Sequence, residues 1–321
     1  MPNLLQIAKL NMGDGGAGII EEASQMHPEI SGMHPWSGET IPGVADSRTV
    51  TGLTFSTLVR TSVPKGGSFR GINQGVAAVS SGFENRIYST KTFDKRFECD
   101  KAAADRYEDG WQAYLAIEAS GIMEGGIQDL GKQFYYGTHA TLGDAEGFPG
   151  LLQSVDANMV IDAGGTTADT GSSVWFVRWG VQDVRHAIGR DGEFDMGEVR
   201  EETLTDKDDP TKKYTGYVQN LLFYPGLQVA HRYSCLRIKK LTADTGKGLT
   251  DALLGKGLST FISNRKRRPT CIFATPRSIE QLRASRTATN ATGAEAPTPT
   301  SYEGIPIIPT DGITNTEPLS V

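Results

Sequence analysis

Cysteine is scarce in this chain of 321 residues: Cys99, Cys235 and Cys271 are odd in number, far apart and in no C-x-x-C pair. That excludes a disulfide framework, gives no support for a zinc site and fits a reducing place of synthesis. Long apolar runs are missing too. Nothing approaches the roughly 18–20 residues of a bilayer span, and the opening segment MPNLLQIAKLNMGDGG lacks the basic start and long apolar core of a secretory signal. The expectation is a protein made soluble in the cytoplasm, with no membrane partner. Basic charge is not in excess, since 38 acidic residues face 32 basic ones for a net charge of −6. Any contact with DNA is therefore expected to be weak and non-specific. Hydrophobic residues are only 38% of the chain while glycines number 38, which implies more turns, arms and extended loops than a compact enzyme carries. Such surfaces are ones that other subunits complete.

Catalytic signatures are also thin. Neither G-x-x-x-x-G-K-[ST] nor G-x-S-x-G occurs, and His139, His186 and His231 have no recognisable nucleophile elbow beside them. His27 and His34 flank Glu29, but Pro28 and Gly32 prevent the helical spacing that metalloprotease-type zinc sites use. The stretch MVIDAGGTTADTG (159–171) asks for more thought: Gly164 and Gly165 free backbone N–H groups to approach an anion, Thr166 and Thr167 add donors, and Asp162 offers a metal ligand. It resembles the phosphate turn of sugar kinases and actin-like ATPases over five residues, without their second phosphate turn or adenosine segment. The competing reading is a turn between two strands. No catalytic, cofactor or metal site is predicted.

Residues 1–48 have many breakers and read as an extended arm with one short helix at Ile19–Met26. From Thr51 to Val63 the pattern alternates, with Leu53, Phe55, Thr57, Val59 and Val63 on one face, and PKGGS at 64–68 signals a turn. A second alternating run carries Phe83, Ile87, Phe93, Phe97 and Cys99, so the two predict a long two-stranded ribbon. Residues 100–137 form the main helical signal, with Asp100 as N-cap, Gly137 as stop, and a kink or break expected among Gly121, Gly125, Gly126 and Gly131. Strands follow over 174–240, with a hairpin tip at Arg190–Gly192 and a polar connection REETLTDKDDPTKK. Thr250–Ile262 reads as a short helix. Then come a buried strand Cys271–Ala274, Thr275 as N-cap, Pro276 at the first helical position, and a last strand over 304–311. The basic run NRKRRP (264–269) is either a solvated helix end or a partner, across a subunit boundary, for the acidic stretch 191–209, where nine carboxylates face two basic residues.

The order of arm, ribbon, long helix, strand-rich region and strand–helix unit resembles the major capsid proteins of tailed bacteriophages of the Hong Kong 97 (HK97) type. It is most similar to the epsilon-fifteen-like and Bordetella-phage-like branch of short-tailed phages. The pieces that carry the resemblance include FENRIYSTKTFDKRFECDKAAADRYEDG, IEASGIMEGGIQDLGKQFYYGT, GFPGLL, DAGGTTADTGSSVW and LRASRTATNATGAEAPTPTSYEGIPI. The resemblance implies an α+β fold with an N-terminal arm (1–48), an extended ribbon loop (49–98) and a peripheral domain (99–249) holding a spine helix at 100–136. An axial domain (250–321) would complete it. The strand pair within 174–240 precedes the unit at 269–285, an order that suggests a circularly permuted version.

The resemblance also implies assembly without chemical turnover. A major capsid protein of this kind builds an icosahedral shell around double-stranded DNA from hexamers and pentamers of itself, with scaffolding, portal and decoration or cement proteins as partners, and resides in the virion. Tail or decoration proteins and a nucleotide-binding enzyme are the alternatives. The contact residues implied are Leu53, Phe55, Val59, Lys65 and Phe69 of the ribbon, reaching over an adjacent spine helix. Arg265, Lys266, Arg267 and Arg268 would face Glu201 and Glu202. Lys65 sits at the ribbon tip with no identified crosslinking partners, so covalent crosslinking is not expected, and any scaffold is expected to be a separate protein.

Overall fold

The computed structural model describes residues 25–31, 46–190, 195–290 and 294–320. Most of the arm, almost all of the helix expected at Ile19–Met26, and Asp191 and Gly192 of the expected hairpin tip lie outside them. In chain order, β1 (Ser47–Val50) leads to β2 (Thr54–Ser62), β3 (Gly82–Ser89) and β4 (Phe93–Asp100). Helices α1 (Lys101–Ala104), α2 (Trp111–Tyr136) and α3 (Leu151–Ser154) follow, then β5 (Val160–Asp162), β6 (Ser172–Val177) and β7 (Val184–Gly189). After β8 (Asp195–Met196) come β9 (Arg200–Thr205), β10 (Lys213–Phe223), β11 (Pro225–Val229) and β12 (Cys235–Leu241). The chain closes with α4 (Asp251–Arg265), β13 (Cys271–Ala274), α5 (Pro276–Thr289), β14 (Ser301–Tyr302) and β15 (Ile305–Pro309).

The centre is a mixed six-stranded sheet in the order β14-β15-β13-β6-β12-β5. Every residue of β6 is buried because both sheet faces are covered, and the period-two alternation of a strand divides its side chains between two cores. Val174 and Phe176 pack with Leu254, Leu258 and Phe261 of α4 and Leu282 of α5. Trp175 and Val177 pack with Leu130, Phe134 and Tyr135 on the C-terminal half of α2. The strand–helix unit forms as its sequence predicts, with Thr275 Oγ1 accepting the Ser278 N–H and Pro276 opening α5. β13 lies between β15 and β6, so segments 172–241 and 269–309 interleave in one sheet. Their order along the chain is thus not by itself a mark of rearrangement.

Asp100 caps a helix as expected, accepting the Ala102 N–H, but that helix lasts one turn. Helix resumes at Trp111, after Gly110 at φ 91°, and at 26 residues α2 is about 39 Å long. It runs unbroken through the four glycines where a kink was expected. Close approach explains one of them: a Cβ at Gly131 would overlap His27 and Glu29, whereas one at Gly126 would make only an ordinary contact with the Phe93 ring at 3.5 Å. Gly137 ends the helix in the left-handed region at φ 51°.

The second alternating run is two strands. β3 pairs with β2, whereas β4 leaves the ribbon and pairs with β10 from Phe93↔Phe223 to Asp100↔Gly216. The polar connection is also part strand: Arg200–Thr205 forms β9 on the same β10, with only Leu204 buried. An edge strand whose free face is charged reads as a loop, although those charges are what keep such an edge from pairing with other chains. This peripheral sheet covers the N-terminal half of α2, where Trp111 stacks on Tyr217 at 4.8 Å.

Two features test this core. Residues 27–30 of the arm are tucked beneath α2, where Glu29 accepts from Thr310 Oγ1 at 2.9 Å and from Tyr135 at 3.4 Å. There the His186 Nε2–H donates to the Glu29 carbonyl at 2.7 Å, while Nδ1 meets no hydrogen-bond partner. Burial pushes the His186 imidazole from 6.5 down to about 4. The unfolded chain takes up this proton below pH 6.5 and the folded chain only near 4, so stability is full above 6.5 and falls as pH drops towards 4. The expected loss is about 3 kcal/mol, at roughly 1.4 kcal/mol per tenfold in proton binding. Denaturant unfolding between pH 7 and 4.5 should show a shallower pH slope for His186→Asn; an unchanged slope would clear His186 of this role. Separately, burial raises the Cys235 and Cys271 thiols to about 12 and Cys99 to about 11. Native protein at pH 8 is expected to resist iodoacetamide at all three until it is unfolded. Rapid native labelling of any one would contradict the packing around it.

Candidate intersubunit contact site

The ribbon has two unlike faces. In an antiparallel pair, directly opposed residues share a face, so Phe55–Tyr88, Thr57–Arg86 and Val59–Glu84 point one way, and Ser56–Ile87, Leu58–Asn85 and Arg60–Phe83 the other. The first face lies on its own subunit. Tyr88 donates its hydroxyl to the Val229 carbonyl at 2.7 Å, and Arg86 donates to the Ala230 carbonyl at 3.0 Å. Phe55 stacks on Tyr88 at 5.4 Å and packs with Val50 and Ala187, leaving it 8% exposed. Phe55 is therefore corrected from a contact residue to a core residue, and Val59 shares its inward face. The outer face carries Leu58 at 73%, Ile87 at 72% and Phe83 at 58% exposure, with Arg60 stacked over the Phe83 ring at 5.4 Å. Leu53, just before β2, is exposed as well. Sequence alternation separated the two faces, but which one the body covers depends on β11, far along the chain.

Beyond the last ladder pair, Ser62↔Gly82, the chain makes an excursion over 63–81 without strand pairing. PKGGS is not the turn between strands; the return is at Gly71–Gln74, where Gln74 N–H donates to the Gly71 carbonyl and Asn73 sits at φ 66°. Phe69 and Ile72 are fully exposed here, and Val76 and Val79 about half exposed. Lys65 and Arg70 supply the tip's charge, with no acid between Val63 and Phe83.

The charged candidates are partly engaged within the chain. Arg265 holds the buried Asp183 at 2.7 Å, beside Arg178 and Ser234. Lys266 ends α4 at φ 61°, and Arg268 donates to the Glu303 carbonyl; Lys266, Arg267 and Arg268 are all exposed. Glu201 pairs with Lys101 at 2.6 Å, raising the lysine's pKa chiefly by that hydrogen bond, and Glu202 pairs with Arg96 at 3.1 Å. The basic run and the two glutamates do not meet within the subunit.

The Gly-Gly-Thr-Thr turn does grip an anion, and the anion is the protein's own. Asp244 accepts the backbone N–H of Thr166 at 3.1 Å and of Thr167 at 3.2 Å, together with the Thr167 and Thr242 hydroxyls. The Thr167 hydroxyl bond is the main cause that holds Asp244 well below the usual carboxylate range. Asp162 accepts the Gly164 N–H and pairs with Lys240 at 2.7 Å. The donors a phosphate would need are thus taken. Among the described residues no group of histidine, cysteine and carboxylate side chains is placed to hold a metal, and no helix is long and apolar enough to cross a membrane.

An uncovered apolar ribbon extending from a well-packed body is the kind of surface that another protein chain covers. Residues 48–321 match the family model described as major capsid protein GP7, and the chain belongs to that family. It is a shell-forming major capsid protein and hence a virion component, with the α+β fold of HK97 type. A structure of bacteriophage Epsilon15 is similar over 99% of this chain and 97% of that one, at a TM-score of 0.64 and 20% identity. Mycobacterium phage Bobi (TM-score 0.44, 10% identity, 74% of this chain and 97% of that) is more distant. So is the procapsid of bacteriophage JBD30 (TM-score 0.39, 11% identity, 97% and 99%). No curated protein sequence matches the chain.

Proposed function

We propose that this chain assembles into hexamers and pentamers of an icosahedral shell around double-stranded DNA, each ribbon lying across the spine helix of an adjacent subunit. The observation that carries this reading is the ribbon's outer face and tip, where Leu58, Phe83, Ile87, Phe69 and Ile72 stand open to solvent. Covering one such side chain contributes about 1.5–3 kcal/mol. Association costs about 4–15 kcal/mol in lost freedom, so one ribbon contact is weak alone. Closure makes many such contacts simultaneous, and the shell is stable where a dimer is not.

Exposed Lys266, Arg267 and Arg268 are proposed to face the acidic β9–β10 region of a neighbour, with Glu201 and Glu202 shared between in-chain and cross-boundary partners. Scaffolding, portal and decoration proteins complete the particle, and the net negative charge keeps contact with the packaged DNA weak. The test is electron microscopy and sedimentation of the purified protein, alone and with its scaffold. Roughly isometric particles are expected; a protein that stays a small oligomer under both conditions, or binds only to preformed shells, overturns the reading.

A further inference from the structure

A cleft of about 230 Å³ opens where the ribbon meets the body, between β2 and β3 on one side and the His231–Tyr233 turn that joins β11 to β12 on the other. Positive charge collects around it. Arg60, Arg86 and Arg232 line the cleft. Burial, and after it the charge of Arg265, holds the His231 imidazole below its ordinary pKa; Arg86 and Arg232 add to this and Asp183 opposes it. The carboxylates nearby are already paired: Glu84 with Arg86 at 3.4 Å, Asp156 with Arg232 at 3.9 Å, and Asp183 with Arg178 at 3.2 Å and Arg265 at 2.7 Å. Five guanidinium groups thus face three carboxylates, which leaves an excess of two positive charges after every pair is counted.

The donors are set as well. His231 Nδ1 accepts the Tyr233 N–H at 3.1 Å, so the neutral ring carries its proton on Nε2, which has no partner among the described residues. Arg232 is exposed and lies over the Tyr233 ring at 4.6 Å, while its carboxylate partner at 3.9 Å is beyond hydrogen-bond reach. The Thr61 side also lines the cleft and brings a hydroxyl.

We propose that this cleft is a phosphate site, where a free dianionic phosphate joins Arg86 of the ribbon to Arg232 and His231 of the body. A phosphate group carries about −1.5 to −2 charge at pH 7, which matches the excess, and guanidinium groups bind it through paired N–H donors. The volume lies below the roughly 300–1,000 Å³ of pockets that enclose larger ligands, so it suits a small ion with its waters. With one wall on the ribbon and one on the body, the bound ion would fix the ribbon at its base. This site does not depend on the shell reading.

The test titrates free, full-length subunits with inorganic phosphate in a calorimeter, against sodium chloride at matched ionic strength. Saturable binding of one phosphate per subunit is expected, at least tenfold weaker in Arg232→Gln and partly restored in Arg232→Lys. In hydrogen exchange, residues 58–61, 84–87 and 231–233 should slow at least threefold with phosphate, while the 206–212 turn keeps its rate. No saturable heat in the parent overturns the site, as does equal affinity in Arg232→Gln. If Arg232→Gln does not fold, the parent's exchange pattern decides, and protection absent from the cleft overturns the proposal. Short duplex DNA separates the source: a cleft protected by DNA and not by inorganic phosphate would be a phosphodiester contact, and the free-ion site would be wrong.

Discussion

Replacing residues 64–81 by a two-residue Asn-Gly turn is expected to leave a folded subunit that no longer closes into stable shells. The excised segment supplies Phe69, Ile72, Val76 and Val79, all exposed, and nothing that its own body needs. Arg70, Gly71 and Gln74 bond to one another, and the β2–β3 ladder ends at Ser62↔Gly82. Val63 with the inserted Asn-Gly makes a three-residue loop between the paired Ser62 and Gly82, with glycine at the left-handed position, so the remaining ladder keeps its register. The free subunit should keep its circular dichroism, and its unfolding midpoint should shift by little. Assembly should fall steeply, because four apolar side chains at about 1.5–3 kcal/mol each are removed from every copy. Light scattering and sedimentation under conditions where the parent forms particles measure this. Particles of undiminished yield and denaturant resistance would show that the tip is idle.

The second large effect lies in the core. Glu317 Oε1 accepts the Tyr136 hydroxyl at 2.6 Å, while Oε2 accepts Ser173 at 2.5 Å and pairs with Arg237 at 3.0 Å. Both charged side chains are nearly inaccessible, at 3% for Arg237 and 2% for Glu317. Glu317→Ala leaves a buried guanidinium with no counter-charge and two hydroxyls without their acceptor. A loss of about 3–5 kcal/mol is expected, measured by urea unfolding of the free subunit. The pair itself need not stabilise much, since two charges were taken out of water to make it. Arg237→Met combined with Glu317→Leu should therefore recover the part of the loss that comes from the stranded charge, while the Tyr136 and Ser173 hydroxyls still lack their acceptor. A single variant within about 1 kcal/mol of the parent, or a double variant worse than the single, would contradict this account of the C-terminal segment.

Local chemistry was the part of this chain that could be read in advance. Thr275 with Pro276, Asp100 and Gly137 mark element ends because a cap or stop needs only residues within a few positions. The buried strand at Cys271–Ala274 announces itself by composition alone. What sequence could not supply was pairing at a distance. Phe93–Cys99 looks like a continuation of the ribbon until β10, more than a hundred residues later, claims it. Arg200–Thr205 looks like a loop because its charged face is the exposed edge of the peripheral sheet. Asp162–Thr167 looked like a phosphate turn for a sound reason, since it does bind a carboxylate; that the carboxylate is Asp244 is visible only once the chain has folded. The ribbon residues divide the same way. Leu53 and Phe69 are exposed, whereas Phe55 is buried by Tyr88 and Ala187, and Leu58 and Phe83 join Ile87 on the free side.

The most direct measurement is a cryo-electron microscopy reconstruction of purified particles at side-chain resolution. The ribbon of each subunit should cross onto a neighbour's Trp111–Tyr136 helix, with Leu58, Phe69, Phe83 and Ile87 covered. A closed shell whose ribbons stand free in solvent, or fold back on their own subunits with these residues uncovered, would contradict the account.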